Sequence, residues 1–238
     1  MPYCFDPIGK IHSCFAEKFG IPRQPGLAPE ARAVLELHPP YGGSEVLREL
    51  DGFSHLWVLF VFHGNHRHRW TPTVRPPRLG GNRRVGVFAS RSPFRPNPIG
   101  ISVVKIEGIR HVGMRSDIDL AGVDLLDGTP VLDIKPYVPW ADAIAGAEGG
   151  YARERPMERL AVDFLPAVEE RIDEWERAGR PLLKRLIRSL IELDPRPSYR
   201  RTEQDARTCS MKLFDIDLQW EMRDRKSAVV TTAVRKAL

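Results

Sequence analysis

Cysteine and long apolar runs are both scarce in this chain of 238 residues. The longest apolar run, Leu56 to Phe62, has the length of a strand, whereas a helix that spans a membrane needs about 20 residues. The three cysteines, Cys4, Cys14 and Cys209, are odd in number and lack the spacing of metal ligands. The start of the chain has no basic segment followed by an apolar core. We therefore expect a cytoplasmic protein with reduced thiols.

Acidic residues are absent from Gly52 to Ile106, although the whole chain carries a net charge of only +5. Eight arginines, Lys105 and four histidines fall in this window. Neighbouring arginines repel one another unless an anion binds among them or acids approach from elsewhere in the fold. Because arginine forks onto phosphate oxygens and stacks on bases, the window favours nucleic acid or a phosphorylated ligand. Charge balance by carboxylates of the second half is the alternative.

A proline-rich loop lies in this window between two β-prone segments. It runs through Arg91-Ser-Pro-Phe-Arg95-Pro-Asn97-Pro, after Val85 to Ala89 and before Ile101 to Ile106. Proline fixes φ and lacks the backbone donor, so the loop is stiff and presents its polar side chains from a rigid support. Preorganised groups lose less entropy on binding, which favours a site for an anion or a polar ligand. A stiff surface turn with solvated arginines is the alternative.

Common nucleotide and nucleophile motifs are missing. The chain has no phosphate-binding glycine loop, no Gly-x-Gly-x-x-Gly after a strand and no Ser/His/Asp signature. The tract His63-Gly-Asn-His66-Arg-His68 brings three histidines together, but its arginines disfavour a divalent cation. We therefore predict no metal site and take His63, at the end of an apolar strand, as a site residue instead.

Short β-prone segments punctuated by glycine and proline fill residues 1–142. They are 5–15, 31–38, 55–63, 84–89, 101–110, 117–125 and 131–138. One helix is predicted from Ser44 to Leu50. So many short strands with so little helix predict a mainly β protein whose N-terminal part is a barrel or a sandwich, since closing the sheet removes its edges.

The pattern changes after a segment rich in Ala, Gly and Glu at 141–156. Helical periodicity covers Arg159–Arg177 and Leu182–Leu193, and Asp194-Pro ends the second helix. Thr208–Met222 and Val229–Val234 predict a hairpin. We therefore predict a small C-terminal α+β domain, with two helices and a hairpin, over residues 157–238.

Six short motifs follow one another in order along the first half of the chain. They are Phe53-Ser-His-Leu-Trp57, Arg75-Pro-Pro-Arg-Leu-Gly-Gly81, Val85-Gly-Val-Phe-Ala-Ser-Arg91, Arg95-Pro-Asn-Pro-Ile-Gly100, Asp127-Gly-Thr-Pro130 and Asp133-Ile-Lys-Pro-Tyr137. Together they resemble the TsaA-like family, in its TrmO-type branch of tRNA methyltransferases. Asp194-Pro-Arg-Pro-Ser-Tyr-Arg200 resembles the longer bacterial members. The resemblance implies a β-barrel that binds S-adenosylmethionine, a homodimer, and methylation of N6-threonylcarbamoyladenosine beside the tRNA anticodon.

The motif match also implies a set of cofactor-binding residues. They are Pro22, Arg23, Gln24, His63, Arg91, Ile101, Ala121, Gly122, Val123 and Asp124. Pro22 to Gly26 is a second proline-stiffened loop, which could face Arg91. Since the sulfonium of the cofactor is cationic, we assign Arg91 to a carboxylate or to acceptor atoms, and Asp124 to the ribose or the amino group. Gly64 and the histidines after it depart from the family pattern and are left out.

The chemistry of the acceptor predicts a base. Its exocyclic nitrogen lies between a purine and a carbonyl, so its lone pair is delocalised and it should lose its proton for efficient attack. His63, Asp133 and Tyr199 are the candidates, and the sequence does not choose among them.

The tRNA is expected to contact basic and polar side chains, with Tyr199 stacking on a loop base. The expected contacts are Arg75, Arg78, Arg95, Asn97, Lys135, Arg196, Tyr199 and Arg200. Two other functions stay open at this point. One is a barrel that binds S-adenosylmethionine or RNA without chemistry, and the other is a metal-dependent hydrolase built on the histidine tract.

Overall fold

The computed structural model of the protein describes residues 3–64, 70–113, 115–154, 159–197, 200–201 and 207–236. Six strands of its first half are β1 (Gly9–Ser13), β2 (Arg32–Leu37), β3 (His55–Val61), β6 (Ile99–Val112), β7 (Arg115–Ala121) and β8 (Pro130–Pro136). They close into a barrel in the order β1-β2-β7-β6-β3-β8, and every pair is antiparallel. The predicted β-barrel is confirmed.

Alternating burial along the strands sets which side chains fill the barrel. In β3, Leu56, Val58 and Phe60 are buried, whereas the residues between them are half-buried on the outer face. Successive side chains of a strand point to opposite faces, so this period of two turns one face to the core. Each fully buried aliphatic or aromatic side chain stabilises the fold by about 1.5–3 kcal/mol.

Residues 70–98 form an arginine-rich insertion between β3 and β6. Its two-stranded ribbon pairs β4 (Thr73–Val74) with β5 (Val85–Gly86). The prediction of a strand through Ala89 is wrong beyond Gly86, where a 3₁₀ turn begins. Both the N–H and the hydroxyl of Ser90 donate to the Val87 carbonyl, which bends the chain away from the ribbon.

The predicted helix Ser44–Leu50 is also wrong. Two 3₁₀ turns, Ser44–Leu47 and Leu50–Gly52, stand in its place. Glu49 between them has a φ of 66°, in the left-handed region that interrupts a right-handed helix. Ser44 makes no capping hydrogen bond, since Gly43 occupies the capping position.

A second sheet lies in the C-terminal part of the chain. Its strands are β9 (Ala161–Phe164), β10 (Cys209–Leu213), β11 (Ile216–Met222) and β12 (Ser227–Arg235), and its helices are α2 (Pro166–Arg177) and α3 (Leu183–Glu192). A short helix α1 (Pro139–Asp142) precedes it. The sheet order is β10-β11-β12-β9, with β9 parallel to β12. No helix of the described residues is long and apolar enough to cross a membrane.

Two of the predicted element boundaries in the C-terminal part are wrong. The first predicted helix does not begin at Arg159, because residues 161–164 pair with β12 and Pro166 occupies the first turn, where its missing N–H costs nothing. The predicted strand Thr208–Met222 is broken at Phe214, whose φ of 53° makes a tight turn between β10 and β11. The helix pair therefore packs on a four-stranded sheet rather than on a hairpin.

The connection from β1 to β2 is held between the two sheets. Phe15 bridges to Leu213, and the Phe214 N–H donates to the Cys14 carbonyl at 2.8 Å. Burial raises the pKa of the Cys14 thiol to about 12, so this group is an inert part of the junction. The Lys212 N–H donates to the Glu17 carboxylate at 3.0 Å. The segment that leads to the loop at residues 22–26 is therefore anchored by both sheets.

Candidate functional site

A cavity of about 390 Å³ opens where β3 ends and β6 begins. The last residues of β3 and the first residues of β6 line it, together with residues 21–24, 91, 93–95 and 124–126. Pockets for small ligands measure roughly 300–1,000 Å³, so the cavity is large enough for a cofactor. Three loops distant in sequence converge here, because the barrel brings their strand ends to one rim.

One wall of the cavity is aromatic. Phe60 faces Gly100 across the β3–β6 ladder, and a side chain at Gly100 would overlap the Phe60 ring. Phe62 packs edge-on against Phe60, with ring centroids 5.0 Å apart. Glycine at position 100 thus lets the ring lie flat across the neighbouring strand, and the wall can accept a planar ligand group.

The loop after β5 is braced by serines as well as prolines. The Phe94 N–H donates to Ser92 Oγ at 3.2 Å, and the Ser92 N–H donates to Ser90 Oγ at 3.3 Å. Arg95 Nη1 donates to the Ser90 carbonyl at 3.2 Å, and the Phe62 N–H reaches the Pro98 carbonyl at 2.9 Å. The loop is tied to itself and to the end of β3.

Arg91 on this loop meets the second proline loop. Its Nη1 donates to Gln24 Oε1 at 2.7 Å, and Gln24 Nε2 donates to the Arg23 carbonyl at 2.5 Å. The Gly26 N–H donates to the Gly122 carbonyl at 2.8 Å, which fixes the second loop on the chain leading to Asp124. The expectation that residues 22–26 face Arg91 is confirmed.

Asp124 supplies the negative charge of the cavity. Ser102, which is 1% exposed, donates from Oγ to Asp124 Oδ1 at 2.6 Å. Burial raises the pKa of Asp124 to about 6, while the Ser102 hydroxyl and the positive charge of Arg91 act to lower it. The carboxylate is therefore ionised at neutral pH and protonated in mild acid.

Positive charge dominates the remainder of the lining. The basic side chains are Lys18, Arg23, Arg91 and Arg95, against the single carboxylate of Asp124 among the described lining residues. The pKa of Arg23 is lowered, first by burial and then by Arg201, an effect that Asp194 opposes. The chain after α3 thus lies close enough to act electrostatically on the cavity.

The structure gathers most of the expected cofactor residues around this cavity. Those that line it are Pro22, Arg23, Gln24, His63, Arg91, Ile101 and Asp124. Ala121, Gly122 and Val123 do not line it. Val123 is fully buried, and Gly122 has a φ of 69° and holds residue 26 through its carbonyl. These three residues do not line the cavity but support the chain segments that do.

Other lining residues escaped the sequence analysis. Lys18, Phe60 and Ser102 line the cavity although no motif marked them, and Arg95 lines it although it was assigned to RNA. Gly64, which was left out, lines it as well. Ser102 carried a usable signal: it is a hydroxyl at an inward-facing position of an apolar strand, where a polar group needs a partner.

Of the three candidate bases, one lines the cavity, one does not, and one is outside the described residues. His63 lines the cavity and is exposed. Asp133 does not line the cavity, and Lys135 binds its Oδ2 at 2.8 Å. Asp133 is therefore no candidate for proton transfer there. Tyr199 lies outside the described residues.

The expected RNA contacts also differ from one another. Arg75, Arg78 and Asn97 are exposed, and neither arginine forms an ion pair with a carboxylate in the part of the chain that the structure describes. Arg196 is only 3% exposed and forms a bidentate pair with Asp194, at 2.8 and 2.9 Å. Its burial removes Arg196 from the exposed surface, whereas Arg200, half-buried, and ion-paired Lys135 stay as predictions.

The predicted histidine tract lies mostly outside the described residues. His66 and His68 lie outside the described residues. Among the residues that are described, no group of three or more His, Cys, Asp or Glu side chains is placed to hold a metal ion.

Comparison with known proteins assigns the family. Residues 10–143 match the tRNA-methyltransferase O N-terminal domain, and residues 157–235 match the TrmO C-terminal domain. The tRNA (adenine(37)-N6)-methyltransferase of Escherichia coli K12 is 46% identical over 220 residues, which cover 92% of this chain and 93% of that protein. A putative S-adenosylmethionine-dependent methyltransferase of Pseudomonas aeruginosa is 47% identical over the same shares. The crystal structure of TrmO from Pseudomonas aeruginosa superposes with a TM-score of 0.83 at 40% identity, covering 98% of this chain and 99% of that one. This chain therefore belongs to the TrmO family of tRNA methyltransferases.

Proposed function

We propose that this protein transfers the methyl group of S-adenosylmethionine to N6 of an adenosine beside the tRNA anticodon, and that the acceptor is N6-threonylcarbamoyladenosine. Membership of the TrmO family makes it a tRNA (adenine-N6)-methyltransferase. The observation that carries the proposal is the cavity in which Arg91, Gln24 and Asp124 form one polar corner beside an aromatic wall.

The cavity fits S-adenosylmethionine. The methionine part of this cofactor is a zwitterion, which needs an anion and a cation close together. Asp124 and Arg91 form such a pair, since Arg91 is near enough to lower the Asp124 pKa. The Phe60–Phe62 wall offers an apolar surface for the adenine ring. When bound, the cofactor supplies an electrophilic methyl group on a cationic sulfur.

The position of the carboxylate suits methyl transfer. The sulfonium loses its charge during the reaction, so a fixed carboxylate against sulfur would stabilise the ground state more than the transition state. Asp124 is held to one side by Ser102. We assign it to the amino group or the ribose.

His63 is the base that the cavity offers. It follows β3 directly, at the point where residues 61–64 line the cavity. No described residue makes a hydrogen bond to either nitrogen of its ring, which leaves the ring available to take the proton of N6 directly or through water.

The charge of the lining favours an acidic acceptor. S-adenosylmethionine carries a net positive charge, so it does not balance a lining with four basic side chains and one carboxylate. The tRNA backbone is anionic, and the threonylcarbamoyl group adds a carboxylate next to the accepting nitrogen. An acceptor with this group therefore balances the cavity better than unmodified adenosine does.

The arginine-rich insertion is proposed to bind the phosphates of the anticodon arm. Substitution of Arg75 and Arg78 by Gln is expected to weaken tRNA binding and to lower its salt slope by up to about 0.9 per lost contact, because fewer counterions are released. Filter binding between low and high salt measures the slope. Arg48→Gln is the control, since Arg48 is exposed but already pairs with Glu45. An unchanged slope in the double variant would remove both arginines from the RNA surface.

The test of the proposed function is transfer of tritium from labelled S-adenosylmethionine. Anticodon stem-loops with threonylcarbamoyladenosine are expected to accept the label, whereas the same stem-loops with unmodified adenosine accept little. Label on neither RNA, with the cofactor still bound, would favour the binding module without chemistry. Equal label on both would remove the threonylcarbamoyl group from the specificity.

A homodimer in the cytoplasm stays a proposal. Phe88 is 78% exposed, and Ile99 and Ile101 are exposed near the cavity mouth, so an apolar surface is available for a second copy of the chain. Sedimentation equilibrium would return the mass of two chains. Among the described residues no disulfide joins the three cysteines, which suits a reducing compartment.

A further inference from the structure

Lys18 reaches the cavity from the connection between β1 and β2. A Cβ at Gly64 would lie 2.9 Å from Lys18 Cε, so the lysine stem crosses directly over this glycine. The Lys18 carbonyl accepts from the Ile21 N–H at 3.5 Å, and its neighbour Glu17 is anchored to β10. Lys18 thus has an anchored backbone and a stem laid along the cavity edge.

The ammonium of Lys18 has no carboxylate partner in the described ranges. Among the other basic groups of the lining, Arg91 bonds to Gln24 beside Asp124, Arg95 is bonded to the Ser90 carbonyl, and Arg23 interacts electrostatically with Asp194. The cofactor contacts proposed above thus leave Lys18 without an assigned partner. It lies over Gly64, next to His63, the group assigned to the N6 proton.

We propose that Lys18 binds the carboxylate of the threonyl group on the acceptor base and so determines specificity for the modified adenosine. This inference rests on the proposed function. In N6-threonylcarbamoyladenosine the carboxylate is only a few bonds from N6. Lys18 lies against Gly64, which directly follows the residue assigned to the N6 proton, so it is placed for that carboxylate, and a charge-assisted hydrogen bond distinguishes the carboxylate from a neutral group.

The experiment compares two synthetic anticodon stem-loops, one with the threonyl carboxylate and one with its neutral methyl ester. Equilibrium affinity is measured by fluorescence anisotropy and methyl transfer by tritium. The wild-type protein is expected to prefer the acid by about 10-fold or more. Lys18→Met is expected to lose this preference, and Lys18→Arg to keep most of it. Lys212→Met, at an exposed position of β10, is the control.

Affinity for S-adenosylmethionine, measured by calorimetry, is expected to be the same in Lys18→Met and the wild type. Equal affinity of the wild type for acid and ester would overturn the role of Lys18, as would a preference that survives in Lys18→Met. A preference in affinity that Lys18→Met abolishes, together with methylation of neither RNA, would support Lys18 as a carboxylate site and would reject the proposed function.

Discussion

Arg91→Ala is expected to reduce the affinity for S-adenosylmethionine by about 100-fold or more, to the point where calorimetry detects no binding. Two losses add up in this variant. The cofactor carboxylate loses its charge-assisted donor, and Gln24 Oε1 loses the Nη1 donor that holds it at 2.7 Å, so the second proline loop is no longer oriented. Arg91→Lys is expected to recover only part of the affinity, because an ammonium cannot hold both partners in one plane.

The matched control is Arg84→Ala. Arg84 belongs to the same insertion and donates to Thr73 Oγ1, but it does not line the cavity. Thermal melts of both variants would show whether the fold is kept. Wild-type affinity in a folded Arg91→Ala protein would refute the assignment of Arg91 to the cofactor.

The raised pKa of Asp124 predicts how cofactor binding depends on pH. Its pKa is raised to about 6 by burial, so the carboxylate gains a proton as the pH falls through 6. Binding of the cationic cofactor is expected to be strong above this pH and to weaken below it. Asp124→Asn is expected to bind weakly at all pH values and to lose this transition. Calorimetry from pH 5 to about pH 8 measures both effects.

His63 also lines the cavity, and the Asp124→Asn variant separates the two side chains because it leaves His63 in place. If Asp124→Asn keeps the wild-type pH profile, the transition belongs to another group, and the role of Asp124 is refuted.

The same carboxylate is expected to destabilise the free protein. Since its pKa in the folded state is higher than in the unfolded chain, folding takes up a proton between these two values, and the free energy of unfolding falls as the pH rises through about 6. Asp124→Asn should therefore raise the melting temperature of the free protein at neutral pH, by the equivalent of about 1–3 kcal/mol. A site that favours function over stability is a frequent compromise in enzymes.

The barrel could be predicted from the sequence because period-two patterns, as in Leu56, Val58 and Phe60, and their Gly and Pro punctuation are local signals. The Arg91 loop could be predicted for the same reason, since proline acts on its immediate neighbours. Segments whose conformation depends on distant partners were misjudged. Residues 161–164 became a strand because β12 pairs with them, and β12 is distant in sequence.

The site was predicted unevenly for a similar reason. Motif residues such as Arg91 and Asp124 were identified, but Lys18 and Ser102 acquire their roles only from the neighbours that the barrel gives them. The prediction for Arg196 fails because a sequence does not show that Asp194, two positions earlier, accepts from its Nε and Nη2. Charge alone predicts an arginine on a surface, whereas a bidentate partner decides whether it stays there.

The contacts that hold residues 14–17 against the second sheet have a consequence for mutations far from the cofactor. Because β10 contacts Glu17 and Phe15, a substitution that disturbs these contacts would shift the backbone of Lys18 and of the loop at 22–26. A mutation that weakens these contacts should therefore lower selectivity for the acceptor without changing any residue that contacts the acceptor.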